Sequence, residues 1–237
     1  KQLMPSYEWI SAVYDKAVFA AFDTETTGIK AKEERIVEIG CVKFDCTGVI
    51  ARYNVLINPE KPMPKEAGEI NKITDEMLAD KPKFTQVLPD FLDFTRNTVL
   101  VAHNASFDID FINCELERCG KTALTNKVFD TLIFARDVFP GLQSYALQNL
   151  ALQFGIQAVN AHRAEDDARV CMEFFHIAVN RFFSANKEML SSRKKIDFEK
   201  EKDEFILRLK WMQHERLVHL IVTVTVLIVL LLLGIIA

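Results

Sequence analysis

Asp23 and Glu25 stand two residues apart in AVFAAFDTETTG (residues 17–28), where a nearly unbroken apolar run meets a Thr-Thr-Gly turn. Such a run, bounded by a turn, predicts a strand; strand side chains alternate, so both carboxylates point to one face at its carboxyl end. Two like charges on a buried strand repel and lose hydration, a cost that a bound divalent cation would offset. Turn capping by one acid, with the other solvated, is the lesser alternative for this stretch alone.

Other acids add to the pair. In HNASFDIDFINCELERC the spacing predicts a helix over about 106–119, with Asp108 on the stripe of Phe111, Ile112 and Leu116. Asp110 falls instead on a polar line with Asn113, Cys114 and Glu117. In AHRAEDDARVCMEFFHIAV, Asp167 shares a stripe with Val170, Cys171, Phe174 and Ala178, while Glu165 leads the polar line Arg169, Glu173 and His176. One carboxylate on an apolar stripe is usually an arginine's partner. Two of them, beside a strand-end pair, ask for a cation. Carboxylates without cysteine or a histidine pair favour hard ions, Mg²⁺ or Mn²⁺. Two such ions about 4 Å apart clamp the attacking and leaving oxygens of a phosphoryl displacement. His162, five residues before Asp167 in an expected loop, is the candidate general base. A single loop histidine more often does no chemistry.

These residues need a scaffold, and the pattern around them is α/β. Strands are expected at 18–24, 35–45 and 49–57, the last two joined by DCTG. A loop rich in Pro and Lys follows, NPEKPMPKEAGEINKITDEML, with a short helix starting near Thr74. Then come a helix over 84–95, the strand 98–103, the helix carrying Asp108, a strand at KVFDTL, and helices over 144–153 and 163–183. Three meandering strands followed by alternating elements predict a mixed sheet flanked by helices.

Composition agrees. At 49% hydrophobic and 26% charged, the 237 residues describe a folded chain, not a disordered one. A net charge of −4 argues against nucleic-acid binding by basicity alone, but does not exclude an enzyme whose acids hold metal ions. Lys61, Lys65, Lys72, Lys81 and Lys83 are candidates for a basic rim along a substrate path, although scattered lysines usually only solvate a surface. Five cysteines lack zinc-type spacing and no signal-peptide pattern opens the sequence, so reduced thiols in a cytosolic setting are expected.

The far end differs. LVHLIVTVTVLIVLLLLGIIA (217–237) has no charged residue over 21 positions, about 30 Å of helix and enough to cross a bilayer. Arg208, Lys210, Trp211 and Arg216 precede it as a basic-aromatic flank of the cytoplasmic side. The expected organisation is an N-terminal extension (1–16), a domain (17–190), a charged helical stalk (191–216) and a single-pass C-terminal transmembrane anchor (217–237), with the domain facing the cytoplasm.

FDTETTG, HNASFD and HRAEDD together resemble, in order and spacing, the three motifs of the DEDDh 3′→5′ exonucleases, and are most similar to the epsilon/PolC type of proofreading exonuclease. The resemblance spans roughly residues 17–180. It implies an RNase H-like fold, two divalent metal ions, and release of nucleoside 5′-monophosphates from the 3′ end of a nucleic acid, with DNA expected over RNA. Carried onto matching positions, Asp23, Glu25, Asp108 and Asp167 are implied metal ligands and His162 the base. Thr26, Thr27 and Gly28 are implied to lie near the terminal nucleotide, Asn104 and Phe107 to shape the cleft, with Phe107 as a stacking surface, and Asp130 to be structural. A polymerase partner and a proofreading or repair role belong to the same implication. The alternatives are an RNA-trimming exonuclease and a non-catalytic, membrane-tethered nucleic-acid-binding protein. One departure stands out: where the family often has Ile-His-Gly-Ile-Thr, this chain has INKIT (70–74), with Asn71 and Lys72 replacing His-Gly.

Overall fold

The computed structural model describes residues 7–187, 200 and 202–204. The run that ends in the acid pair forms β1 (Phe19–Thr26), the middle strand of a five-stranded mixed sheet. β2 (Ile36–Asp45) pairs with it antiparallel, and β3 (Gly48–Leu56) continues antiparallel to the sheet edge. The DCTG turn between them is fastened by the Asp45 carboxylate, which accepts from the Thr47 and Gly48 N–H groups. On the other side, β4 (Val99–Ala102) runs parallel to β1 and β5 (Val128–Asp130) parallel to β4, giving the order β3-β2-β1-β4-β5. The mixed sheet flanked by helices is therefore as the pattern predicts.

Helices cover both faces. Against one lie α1 (Glu8–Val13), α6 (Thr131–Val138), α7 (Leu147–Phe154) and α8, which begins at 164. There Phe19, Ala21, Val42 and Phe44 pack with Phe134, Leu150, Cys171, Phe174 and Phe175. Against the other lie α4 (Phe84–Phe94) and α5 (Ala105–Arg118), where Ala20, Phe22, Ile39 and Cys41 meet Phe91, Phe111, Ile112 and Leu116. Alternation along β1 then fixes the site: Asp23 and Glu25 share the face of α8, and Thr24 points toward α5. β1 pairs with β4 only over Phe19–Ala21, so its acidic end runs past its parallel neighbour, where open α/β sheets leave a crevice.

Two segments differ from expectation. Residues 65–71 form a helix, α2 (Lys65–Asn71), which starts straight after Pro64, with α3 (Asp75–Leu78) capped by Thr74 following it. The strand expected at KVFDTL stops at Asp130, whose carboxylate accepts from the Leu132 and Ile133 N–H groups and starts α6. Ile10 and Tyr14, from the expected N-terminal extension, are buried in the core. All five cysteines are free. The chain divides into two units, one ending at Phe183 and one starting at Ser184. The expected anchor (217–237) and nearly all of the stalk (191–216) lie outside the described residues; among those described, no helix is long and apolar enough to cross a membrane.

Candidate active site

Asp23, Glu25 and Asp167 bring one carboxylate oxygen each to within 4.8 Å of one another. The strand supplies two and the first turn of α8 the third. Asp108 reaches the cluster from the opposite layer, on the buried stripe of α5 as its spacing predicts, and its Oδ1 accepts from both the backbone N–H (2.9 Å) and the hydroxyl (2.7 Å) of Thr24. Asp110 is exposed, again as its spacing predicts.

A glycine makes the approach of α8 possible. Gly40 lies directly across from Asp23 in the β1–β2 pairing, and a Cβ there would stand 2.1 Å from the Ala164 carbonyl carbon and the Glu165 nitrogen. The helix start therefore rests on bare backbone. Next along β2, Glu38 lies opposite Glu25 with no exposed surface. That like-charge pairing is offset by Arg163, whose guanidinium donates to both Glu38 oxygens (2.7 and 3.0 Å), while the Ala164 N–H donates to one of them. One ion pair thus both neutralises Glu38 and fastens the entry to α8. Asp167 is held in turn by Gln148 Nε2 (2.6 Å) and by the His162 N–H (3.2 Å). His162 itself has a left-handed backbone (φ 63°) and an exposed side chain. Gly40, Glu38, Arg163 and Gln148 are not among the residues expected from sequence, though a glycine and an acid inside the apolar run IVEIG are signals of close approach and of a buried pair.

Burial works against ionisation of all four acids of the cluster. Burial pushes Asp23 well above its ordinary pKa, and the charges of Asp108, Glu25, Asp167 and Glu38 push it further. Glu25 is raised to about 8 by burial, then by Asp167 and Glu38, against a lowering hydrogen bond from Asn71. Asp108 is raised to about 7 by burial despite its Thr24 hydrogen bonds, and burial raises Asp167 despite Gln148. Nearby guanidinium groups are spent elsewhere, Arg163 on Glu38 and Arg35 and Arg118 on Glu115. An all-oxygen site of this kind fits a hard divalent cation.

An acid whose pKa is raised by folding binds its proton more tightly in the folded state, so stability falls as pH climbs from the ordinary 4.5 toward the folded value of about 8 for Glu25. Divalent cation, binding the ionised form, should restore more stability at about pH 8 than at about pH 6. Thermal scans with Mg²⁺ and with EDTA at both pH values check this; equal gains would contradict it.

Beside the acids opens a cavity of about 510 Å³, lined among others by Thr24, Glu25, Thr26, Thr27, Gly28, Ile29, Ile70, Asn71 and Phe107. Thr26, Thr27, Gly28 and Phe107 are thus brought together as a wall beside Glu25. A register shift between Glu25 and Thr26 turns the chain into it. Glu34, which also lines the cavity, accepts from the Thr27 hydroxyl and pairs with Lys61. Asn104 is not part of this lining; it is exposed and takes the left-handed conformation that begins α5 (φ 64°). Asp130 also accepts from the Ala105 N–H, joining the starts of α5 and α6 in a structural role.

At the departure from the family pattern, Asn71 is buried in the cavity wall, with its amide toward Thr26 and Glu25. Lys72 terminates α2 in a left-handed conformation (φ 60°), where glycine carries no Cβ penalty. Lys72→Gly is expected to stabilise the chain by about 0.5–1 kcal/mol, the relief being partly offset by glycine's greater unfolded freedom. A Tm higher by about 1–4 °C would show it, and a lower Tm would refute it. The lysines considered as a basic rim are partnered locally: Lys61 with Glu34, Lys65 with Glu69, Lys81 with Asp80, Lys83 with Glu60, and Lys72 with the Glu69 carbonyl.

The Exonuclease family model (RNase_T) matches residues 20–175. The chain is 56% identical over 171 residues to a DNA polymerase III subunit epsilon of Treponema pallidum (strain Nichols), covering 71% of this chain and 80% of that one. It is 38% identical over 163 residues to a PolC-type DNA polymerase III of Clostridium perfringens, covering 69% of this chain but 11% of that much longer one. Among solved structures, Exonuclease X in complex with 5′ overhanging duplex DNA matches with a TM-score of 0.58 and 26% identity over 68% of this chain and 91% of that one. Exonuclease I matches in fold, with a TM-score of 0.64 at 19% identity over 71% of this chain and 43% of that one.

Proposed function

The chain belongs to the Exonuclease family and is a 3′→5′ exonuclease of the DEDDh type; from that premise we propose that it hydrolyses the terminal phosphodiester at the 3′ end of DNA and releases nucleoside 5′-monophosphates. The observation that carries this reading is the carboxylate cluster of Asp23, Glu25 and Asp167, of which Glu25 lines an open cavity, with His162 at the entry to the helix that bears Asp167. Asp23, Glu25, Asp167 and Asp108 would hold two divalent ions, Mg²⁺ or Mn²⁺. Bound there, the ions would supply charge neutralisation to the phosphate and to the oxygens that attack and leave.

The protein's own groups do the rest. His162 takes a proton from the attacking water at its imidazole; the new P–O bond forms as the bond to the 3′ oxygen of the penultimate nucleotide breaks, and that oxygen is protonated as it leaves. Thr26, Thr27 and Gly28 present the cavity wall to the terminal nucleotide. Phe107, with Ile29 and Ile70 exposed at 84% and 59%, offers apolar surface on which an unpaired base can rest. The names of the relatives, a subunit of DNA polymerase III and a PolC-type DNA polymerase III, support DNA as substrate and a DNA polymerase as partner, an arrangement that suits a proofreading role. Tethering to a membrane, with the catalytic domain on the cytoplasmic side, is supported by the uncharged segment 217–237 and its basic flank.

Competition between 5′-labelled single-stranded DNA, mismatched duplex and RNA, with Mg²⁺ and the full chain, tests the substrate. Faster release of 5′-monophosphates from DNA is expected. Preference for RNA would replace this reading with an RNA-trimming one.

A further inference from the structure

Within the cluster of Asp23, Glu25, Asp108 and Asp167, it is Asp167 that is gripped at both oxygens. Oδ1 accepts from Gln148 Nε2 at 2.6 Å and Oδ2 from the His162 N–H at 3.2 Å. A carboxylate has no donor of its own, so the amide nitrogen of Gln148 is the group facing it. Gln148 sits in the first turn of α7, and that turn is fixed from the sheet side: His103, just after β4, donates from Nε2 to the Tyr145 carbonyl (2.8 Å), while its Nδ1 lies 2.9 Å from the Thr131 hydroxyl. The end of β4 thereby places the start of α7, and α7 places the amide. From these contacts we infer that Gln148 is a positioning residue, which sets the plane of the Asp167 carboxylate toward Asp23 and Glu25 and so sets the affinity of the site for divalent cation. The inference rests on the reading of the cluster as a cation site.

The terminal torsion of aspartate is broad and roughly two-fold, so it does not hold the plane of the carboxylate by itself. With the amide removed, one longer backbone hydrogen bond remains. Gln148 acts through Asp167, and partners of this outer kind typically alter metal affinity by 10–100-fold when lost.

The test is a titration of the full chain with Mn²⁺, followed by the electron paramagnetic resonance of the free ion. Wild type, Gln148→Met, Gln148→Ala and Asp167→Ala are compared, with Tm measured in EDTA. Methionine keeps the length and helix propensity of glutamine without its donor, and the alanine variant gives a second reading should methionine fold poorly. A roughly tenfold weaker Mn²⁺ affinity in the Gln148 variants is expected, with the EDTA Tm within a few degrees of wild type. Wild-type affinity in either folded variant would overturn the role of Gln148. Absence of Mn²⁺ binding by wild type itself would overturn the reading of the whole cluster, a distinct result.

Discussion

Asp23→Asn is expected to lower exonuclease turnover by on the order of 10³-fold or more while making the metal-free chain more stable. The two effects share a cause. Burial raises the pKa of Asp23, and the charges of Asp108, Glu25, Asp167 and Glu38 raise it further. Asparagine keeps the shape, removes one charge from that set and cannot serve as an anionic ligand. The loss of function and the gain in Tm in EDTA should therefore appear together, with the gain larger at about pH 8 than at about pH 6. Steady-state kinetics and thermal scans on the same preparation read both. A variant that keeps activity within about tenfold of wild type would mean that Asp23 holds no essential ion.

Gly40→Ala should have the largest effect of any methyl-sized change. The added carbon would lie 2.1 Å from two backbone atoms of the α8 entry and 2.4 Å from the Ala164 carbonyl oxygen, and backbone cannot rotate aside. To reach ordinary contact the helix start must retreat by about 1 Å or more. Overpacking of this kind costs about 3 kcal/mol or more, and the same retreat carries Asp167 away from Asp23 and Glu25. Displacements near 1 Å can cost about 10²-fold in rate. Denaturant unfolding and turnover should fall together. An alanine variant with wild-type stability and rate would show that the approach at Gly40 is not tight.

Much of this site is legible in the amino-acid pattern itself. The faces of β1 follow from alternation, which puts Asp23 and Glu25 together, and helical periodicity puts Asp108 and Asp167 on buried stripes, where they are found. Periodicity within an element does not tell which layer that element joins. Asp108 comes from the α5 side and bonds Thr24, whereas Asp167 comes from the α8 side and joins the pair directly. The supports are harder to read, because Gly40, Glu38 and Gln148 matter only through residues far away in sequence. The helix at 65–71 is hidden by Pro62, Pro64 and Gly68, which signal a loop, although proline just before a helix is a common start. In KVFDTL the β-prone residues mask the N-cap at Asp130, which ends the strand and begins α6.

Exonuclease action is read out by incubating the full chain with single-stranded DNA labelled at its 5′ end, with Mg²⁺ and with EDTA, and resolving the products by length. A ladder that shortens one nucleotide at a time from the 3′ end, present with Mg²⁺ and absent with EDTA, is expected. Internal cuts, shortening that persists in EDTA, or an uncut strand beside folded, metal-loaded protein would contradict it.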